Sequence, residues 1–344
     1  MRILVTGGAG FIGSHLVRQL VKNGHQVINL DALRYSGNLE NLREVEANSQ
    51  YTFVNGDICD QPTVGKIFEQ HRPEAVINCA AETHVDRSIL DPSAFAKTDV
   101  VGTATLLEEA RKAHIGRFVQ VSTDEVYGSV EHGFSKEDDA LDPRSPYSAS
   151  KAGADLLVRS YWTTYRFPAL ITRGSNTYGP NQYPEKFIPL FVTNALDEQP
   201  LPLYGDGRYR RDWLSVFDHC RGIEFALLHG EPGTIYNVGG GNERENITVA
   251  EIILTHLKKP LSLIRYVQDR PGHDRRYAID CTRLKALGWT PATPFEDGLR
   301  ATIDWYAQHT AWWRTIKNGE FKAYYQQAYG KRLQSSDRAV RPPA

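Results

Sequence analysis

Tyr147 and Lys151 stand four residues apart behind Ser145 and Pro146, a pair of types that opens helices. On a helix this spacing puts both side chains on one face. A tyrosine with a pKa of about 10 is a poor base at neutral pH, and a nearby ammonium favours its phenolate. The pair therefore suits removal of an alcohol proton while hydride leaves the same carbon. Lys151 and a cationic nicotinamide together would supply roughly 4 kcal/mol toward the phenolate. Earlier in the chain, Ser122-Thr123-Asp124-Glu125 follows the apolar stretch Arg117–Val121. Two carboxylates beside a hydroxyl offer an acid and a base, which hydride transfer alone does not need. For both to act near pH 7, Asp124 must stay protonated while Glu125 is ionised. Burial beside a like charge would raise Asp124 in that way.

A nicotinamide needs a dinucleotide site, and the chain opens on one. Thr6–Gly13 joins an apolar run to a helical one, with Gly7, Gly10 and Gly13 at G-x-x-G-x-x-G spacing. Glycines there permit a tight turn and bring backbone N–H groups to a pyrophosphate at the helix N-terminus. Asp31 closes the second strand at the distance needed to hold a ribose 2′-OH. A carboxylate repels a 2′-phosphate, so NAD is expected rather than NADP, although Arg34 could receive a phosphate. Asp57 is placed to accept from an adenine amino group. Small residues Ala80 and Ala81 let the chain pass close to the cofactor. Phe11, Ile12, Ile58 and Thr98 complete the expected cofactor set.

These groups must be held by alternating elements. Ile3–Val5, Val27–Leu30, Tyr51–Val54, Ala75–Asn78, Phe118–Val121 and Ala169–Thr172 read as buried strands. Ile12–Asn23, Pro62–His71, Pro92–His114 and Pro146–Phe167 read as helices, the first with Ile12, Leu16 and Leu20 four apart and Gly24 as its stop. The alternation predicts a Rossmann-type α/β domain, a doubly wound parallel sheet with helices on both faces. After residue 173 Gly and Pro become frequent, which predicts a smaller mixed α/β lobe for the substrate. The boundaries read as 1–173 for the large domain, completed by about 212–230 through a helix at Phe217–Leu228. The lobe takes 174–211 and 231–310, and 311–344 form a C-terminal helix and a tail frayed from Gln334.

Composition sets the class. The chain is 41% hydrophobic and 24% charged with a formal net charge of −1, an ordinary soluble globular balance. That charge argues against nucleic acid as the main partner. No run of about 18 apolar residues predicts a membrane span, and no secretory layout precedes the first strand. Cys59, Cys79, Cys220 and Cys281 are scattered without metal spacing, so no metal is expected. Reduced thiols in the cytoplasm are the natural reading.

With these residues assembled, Gly7, Gly10, Gly13, Asp31, Asp57, Tyr147 and Lys151 resemble the extended short-chain dehydrogenase/reductase superfamily, from residue 1 to about 310. Its NAD-dependent sugar-nucleotide epimerase/dehydratase family is the nearer likeness. His84–Ser88, Ser122–Gly128, Asn176–Pro180, Arg211–Trp213 and Arg270–Tyr277 resemble its 4,6-dehydratase branch. Thr123-Asp124-Glu125 is the most specific piece, since the related 4-epimerases lack that acid–base pair. The resemblance implies a hydro-lyase acting on dTDP-glucose. Tyr147 takes the C4-OH proton, Glu125 the C5 proton, Asp124 protonates the departing O6, and Thr123 hydrogen-bonds O4. It also implies substrate contacts: Thr83 and Asn176 to sugar or phosphate, Lys186 with Phe187 beside it, and Arg211 and Arg270 at the pyrophosphate. Pro202, Tyr204, Asn246 and His273 form the nucleoside pocket. Thr177, Asn181–Tyr183 and Arg208–Arg210 depart from the family pattern and are expected in the nucleotide lobe. UDP-glucose is the alternative donor, a 4-epimerase the third reading, and a non-catalytic cofactor-binding scaffold the fourth. Family likeness further implies a homodimer through the helices Pro92–His114 and Pro146–Phe167. Trp312–Tyr329 has no assigned role.

Overall fold

A computed structural model describes residues 1–336. Six strands come from the first half: β1 (Arg2–Thr6), β2 (Gln26–Asp31), β3 (Tyr51–Asn55), β4 (Ala75–Asn78), β5 (Arg117–Thr123) and β6 (Ala169–Gly174). The second half adds β7 (Asn176–Tyr178), β8 (Leu201–Tyr204), β9 (Arg210–Ser215), β10 (Ile235–Val238), β11 (Glu243–Glu245) and β12 (Ile264–Val267). Seven strands form one sheet in the order β10-β6-β5-β4-β1-β2-β3, and every pairing is parallel. Parallel pairing needs crossover helices, which bury both faces, so the strands are nearly all apolar. β1 shows how one strand serves two cores. Ile3 and Val5 pack with Leu16, Val17 and Ile223, while Leu4 packs on the other face with Phe68, Leu106 and Phe118. Chain direction across the sheet reverses between β1 and β4, which opens a crevice at the strands' carboxyl ends.

Two helices bear directly on the site. Pro146–Tyr165 begins with a capping box, in which Ser145 and Ser148 satisfy each other's backbone N–H groups. The helix expected over Pro92–His114 is not uniform. Pro92–Phe95 and Thr103–Lys112 are α-helical, and Ala96–Gly102 between them is π-helical. Such wide turns concentrate at functional sites, and this one carries Thr98 and Asp99.

Beyond β6 a three-stranded sheet, β11-β9-β7, and a parallel pair, β12-β8, build the smaller lobe around Phe191, Trp213, Phe295, Tyr306 and Trp313. The return to the large sheet differs from the sequence boundaries. The helix Val216–His229 is reached from β9, which belongs to the small sheet, and the chain stays with the large sheet until β10 ends at Val238. Ile235–Val238 is a four-residue strand between Gly233 and Gly239, too short to stand out as a run. Late in the chain lie the short helices Thr310–Ile316, Glu320–Tyr325 and Lys331–Ser336, the last two joined by π-helical Gln326–Gly330, and Trp313, Phe321 and Tyr329 on this stretch pack into the lobe's core. Of the tail expected to fray from Gln334, the part through Ser336 is helical, and residues 337–344 lie outside the described residues.

Candidate active site

The glycine turn follows β1 because only a side-chain-free backbone fits there. Gly7 has φ +68°, and a Cβ on it would lie 2.7 Å from the backbone of Ala80. A Cβ on Gly13 would lie 2.1 Å from the Gly7 carbonyl oxygen. The turn and the N-terminus of Phe11–Lys22 floor a cavity lined by every residue of the expected cofactor set: Gly7, Gly10, Phe11, Ile12, Gly13, Asp31, Arg34, Asp57, Ile58, Ala80, Ala81, Thr98, Tyr147 and Lys151. Asp31 is locked in place, accepting from Ala9 N and Leu33 N at 2.8 Å each. Burial raises its carboxyl. Arg34 donates to Asp57 at 2.7 Å and to Glu82 at 2.8 Å, so its fork is engaged by carboxylates rather than left for a 2′-phosphate. The backbone floor, Asp31 and the committed Arg34 fit NAD.

β5 ends at Thr123, and the next residues turn at once into a short 3₁₀ helix, Asp124–Tyr127, with the Thr123 hydroxyl accepting from Glu125 N at 3.3 Å. Asp124 is 2% exposed. Its Oδ1 accepts from Thr123 Oγ1 at 3.3 Å, and its Oδ2 has no partner among the described residues. Burial first, then the charges of Glu125 and Asp212, hold Asp124 well above the usual carboxylate range. Burial also raises Glu125, but Arg270, Lys186 and Arg211 pull it back toward the ionised form. Glu125 lines a second cavity, and Thr123 and Asp124, which line neither, adjoin it in the chain.

Tyr147 and Lys151 come from the helix behind that turn. Lys151 Nζ donates to Val121 O at 2.8 Å, which pins the ammonium against β5. Neighbouring Ser150 donates to Asp99 Oδ2 at 2.5 Å. Contrary to the sequence expectation, the protein's own groups raise Tyr147. Burial leads, followed by the charges of Glu125, Asp99 and, more weakly, Asp124, with the Thr123 hydroxyl opposing. The spacing identified the cation on the same face but not the three carboxylates that converge there from other elements.

Tyr147 and Lys186 line both cavities and mark their junction. Lys186 Nζ donates to Thr83 Oγ1 at 2.8 Å, so Thr83, the one expected substrate contact that lines the first cavity alone, is tied to the junction. The other nine expected contacts, Asn176, Lys186, Phe187, Pro202, Tyr204, Arg211, Asn246, Arg270 and His273, all line the second. Asn176 Oδ1, Asn246 Oδ1 and Arg270 Nε are buried without partners among the described residues, polar atoms ready for a polar ligand. Asp86 steadies Arg270 across 3.5 Å. His273 stacks on Tyr209, ring centroids 3.9 Å apart, and lies 2.6 Å from Asp269; burial holds it at about 4.

Some participants escaped the sequence reading. Gln182 and Tyr183, expected in the nucleotide lobe, line the cofactor cavity instead. Arg210 is half exposed and paired with Glu243, away from the second cavity's lining. Asp86 lay within the quoted motif His84–Ser88, which was the available signal. Tyr329, which also lines the second cavity, had only its place in an aromatic-rich stretch.

A family profile described as GDP-mannose 4,6 dehydratase matches residues 4–302. The dTDP-glucose 4,6-dehydratase of Salmonella typhimurium is 46% identical over 357 aligned residues, covering 96% of this chain and 99% of the relative. A crystal structure of a dTDP-glucose 4,6-dehydratase from Streptomyces venezuelae with NAD bound superposes with a TM-score of 0.90 at 49% identity, covering 92% of this chain and all of that one. That of the Bacillus anthracis enzyme in complex with NAD gives 0.87 at 46%, with 92% and 100% covered. Similarity so close, running through both lobes and nearly the full length of each relative, means that the chain belongs to the dTDP-glucose 4,6-dehydratase family.

Proposed function

We propose that the protein dehydrates dTDP-glucose to dTDP-4-keto-6-deoxyglucose as an NAD-dependent hydro-lyase. The observation that carries this reading is the unequal setting of two adjacent carboxyls: burial and the charges of Glu125 and Asp212 push Asp124 well above the carboxylate range, while at Glu125, which lines the second cavity, Arg270, Lys186 and Arg211 oppose the upward push of burial. C5–H of a glucosyl unit is not acidic and hydroxide leaves C6 badly, so elimination needs a C4 ketone, a base and an acid. Bound NAD would supply the two-electron acceptor at C4 and return the same equivalents to C6, leaving no net oxidation. Tyr147 takes the C4-OH proton, with Lys151 and Thr123 orienting it. Glu125 takes the proton from C5, which the ketone has made acidic. Asp124 protonates O6 so that it leaves as water. A proton then returns to C5 as C6 becomes a methyl group. Each positioned acid or base typically contributes about 10²–10⁴-fold. Lys186, Arg211 and Arg270 suit the substrate's diphosphate, because guanidinium forks match phosphate oxygens.

The test is to incubate the pure protein with dTDP-glucose and, separately, UDP-glucose in D₂O. Deuterium at C5 of a 4-keto-6-deoxy product from dTDP-glucose is the expected result. Product from UDP-glucose alone would reassign the donor, and epimerised sugar without dehydration would overturn the reaction.

Support for a homodimer comes from the two helical segments expected to pair, on which Val101 and Leu156 are each 54% exposed. A single species at monomer mass in sedimentation would remove it. The four free thiols suit a cytoplasmic enzyme. Among the described residues no helix is long and apolar enough to cross a membrane.

A further inference from the structure

The aromatic stretch near the C-terminus reaches the glycine turn at one end and the second cavity at the other. At one end Trp312 Nε1 donates to Asn41 Oδ1 at 3.1 Å, and Asn41 Nδ2 donates to the Ala9 carbonyl within the glycine turn, also at 3.1 Å. Further on, Tyr324 Oη lies 3.1 Å from His84 Nδ1, and the Tyr324 ring carries the Arg87 guanidinium 4.4 Å from its centroid. His84 has φ +89° although it is not glycine, a costly backbone that persists only where its surroundings hold it. It is the N-cap of Val85–Leu90 and lines the second cavity.

Tyr329 is the part of this stretch that enters the cavity wall. Its ring lies 6.0 Å from that of Tyr204 at 34°. Tyr204 is itself fixed from two sides. Its hydroxyl donates to Asp86 Oδ2 at 3.2 Å and accepts from Arg332 Nη1 at 2.7 Å. The Tyr204 ring also meets His273 edge-on at 5.7 Å. Two tyrosine rings, an imidazole and Pro202 thus line this cavity together with Asn246, whose Oδ1 is buried without a partner among the described residues. Flat apolar walls and an unpaired amide suit a planar, hydrogen-bonding heterocycle. The cations Lys186, Arg211 and Arg270 line the same cavity and suit the diphosphate attached to it.

We infer that Tyr329 is a substrate-binding residue, forming with Tyr204 the wall against which the pyrimidine ring of the sugar nucleotide packs, while Tyr324 positions that wall by holding His84. The C-terminal stretch is then part of the substrate site and ties it to the glycine turn of the cofactor site. The inference rests on the dTDP-glucose reading above.

Base–aromatic contact of this kind typically changes affinity by about five- to 150-fold on truncation. Tyr329→Ala should raise KM for dTDP-glucose about ten-fold with kcat within two-fold of wild type, and weaken binding of thymidine diphosphate alone in parallel. Tyr329→Phe should restore both, because the ring rather than the hydroxyl makes the wall. Tyr329→Leu keeps apolar volume and should show the same loss as alanine even if the alanine variant fails to fold. NAD content should match wild type in every folded variant. KM and dTDP affinity within two-fold of wild type in Tyr329→Leu would overturn the inference. So would a fall in kcat and NAD content with KM unchanged, the mark of a merely structural residue. A wild-type protein that neither binds thymidine diphosphate nor turns over dTDP-glucose would overturn the proposed function, and this inference with it.

Discussion

Asp124 and Glu125 are neighbours in sequence but have different surroundings: Glu125 lines the second cavity, while Asp124 beside it is 2% exposed with one carboxyl oxygen unpaired among the described residues. Desolvation disfavours both anions. Lys186, Arg211 and Arg270 counter it at Glu125, whereas Glu125 and Asp212 add to it at Asp124. Both carboxyls are raised, Asp124 well above its usual range, and that inequality is what an acid and base pair requires.

The pH profile follows from those directions. In the proposed reaction Glu125 acts as its anion, so turnover should fall as pH drops through its pKa, which lies above 4.5. Asp124 acts there as an acid, so turnover should also fall as pH rises through its pKa, well above 3.8. Initial rates between pH 4 and 10 should trace a bell. Glu125→Gln should still bind NAD and sugar nucleotide yet lose about 10²–10⁴-fold in elimination. Turnover intact in the double variant Asp124→Asn plus Glu125→Gln would refute the assignment.

The same shift makes a stability prediction of opposite sign. Asp124 binds its proton more tightly folded than unfolded. It therefore favours the fold at low pH, and that contribution is lost as pH rises through the folded value. Asp124→Asn carries no such charge. Its Tm should exceed that of wild type at pH 9 and approach it at pH 5, in scans made at both values. Equal margins at the two pH values would show that residue 124 is not held neutral.

Tyr147→Phe should abolish C4 oxidation while leaving sugar-nucleotide affinity within a few-fold. The loss expected from one positioned base is about 10²–10⁴-fold. Single-turnover absorbance at 340 nm reads it directly, and a normal reduced-nicotinamide transient in the variant would remove Tyr147 from the oxidation step.

Cofactor choice should resist simple inversion. With Arg34 engaged by Asp57 and Glu82, Asp31→Ala removes the ribose acceptor without freeing a cation for a phosphate. NAD affinity should fall by about ten-fold or more, the weight of one charge-assisted hydrogen bond, with little gain for NADP. Titration of the apoprotein with both cofactors checks it.

Away from the site, Arg173 Nε donates to Asp155 at 2.9 Å, with side chains 1% and 0% exposed, and the Arg173 guanidinium lies 4.7 Å from the Tyr127 ring centroid. Asp155→Ala leaves that cation buried without its counter-charge, at a cost of about 3–5 kcal/mol. Urea unfolding should show the drop with the m-value unchanged.

The legible part of this protein is what local spacing encodes. The strand–helix alternation needs only apolar periodicity, and the sheet follows it closely apart from β10, four residues long between glycines. The shared lining of the first cavity was legible because a glycine turn, an acid at the end of β2 and a Tyr–Lys pair are each short-range patterns whose geometry one element fixes. Gln182 and Tyr183 were misplaced because the loop that carries them crosses back to the cofactor, a path that periodicity does not encode.

By itself the sequence determined which chemical groups exist and which element each rides on, since helix and strand periods set the facing of neighbours a few residues apart. Tertiary structure alone decided how those groups titrate and which distant ones meet. The upward shift of Asp124 depends on its burial and on the charges of Glu125 and Asp212, and Tyr329 reaches Tyr204 from 125 residues away. Desolvation and Coulomb forces act through space, so their sources lie wherever folding brings the chain together rather than where the sequence places them.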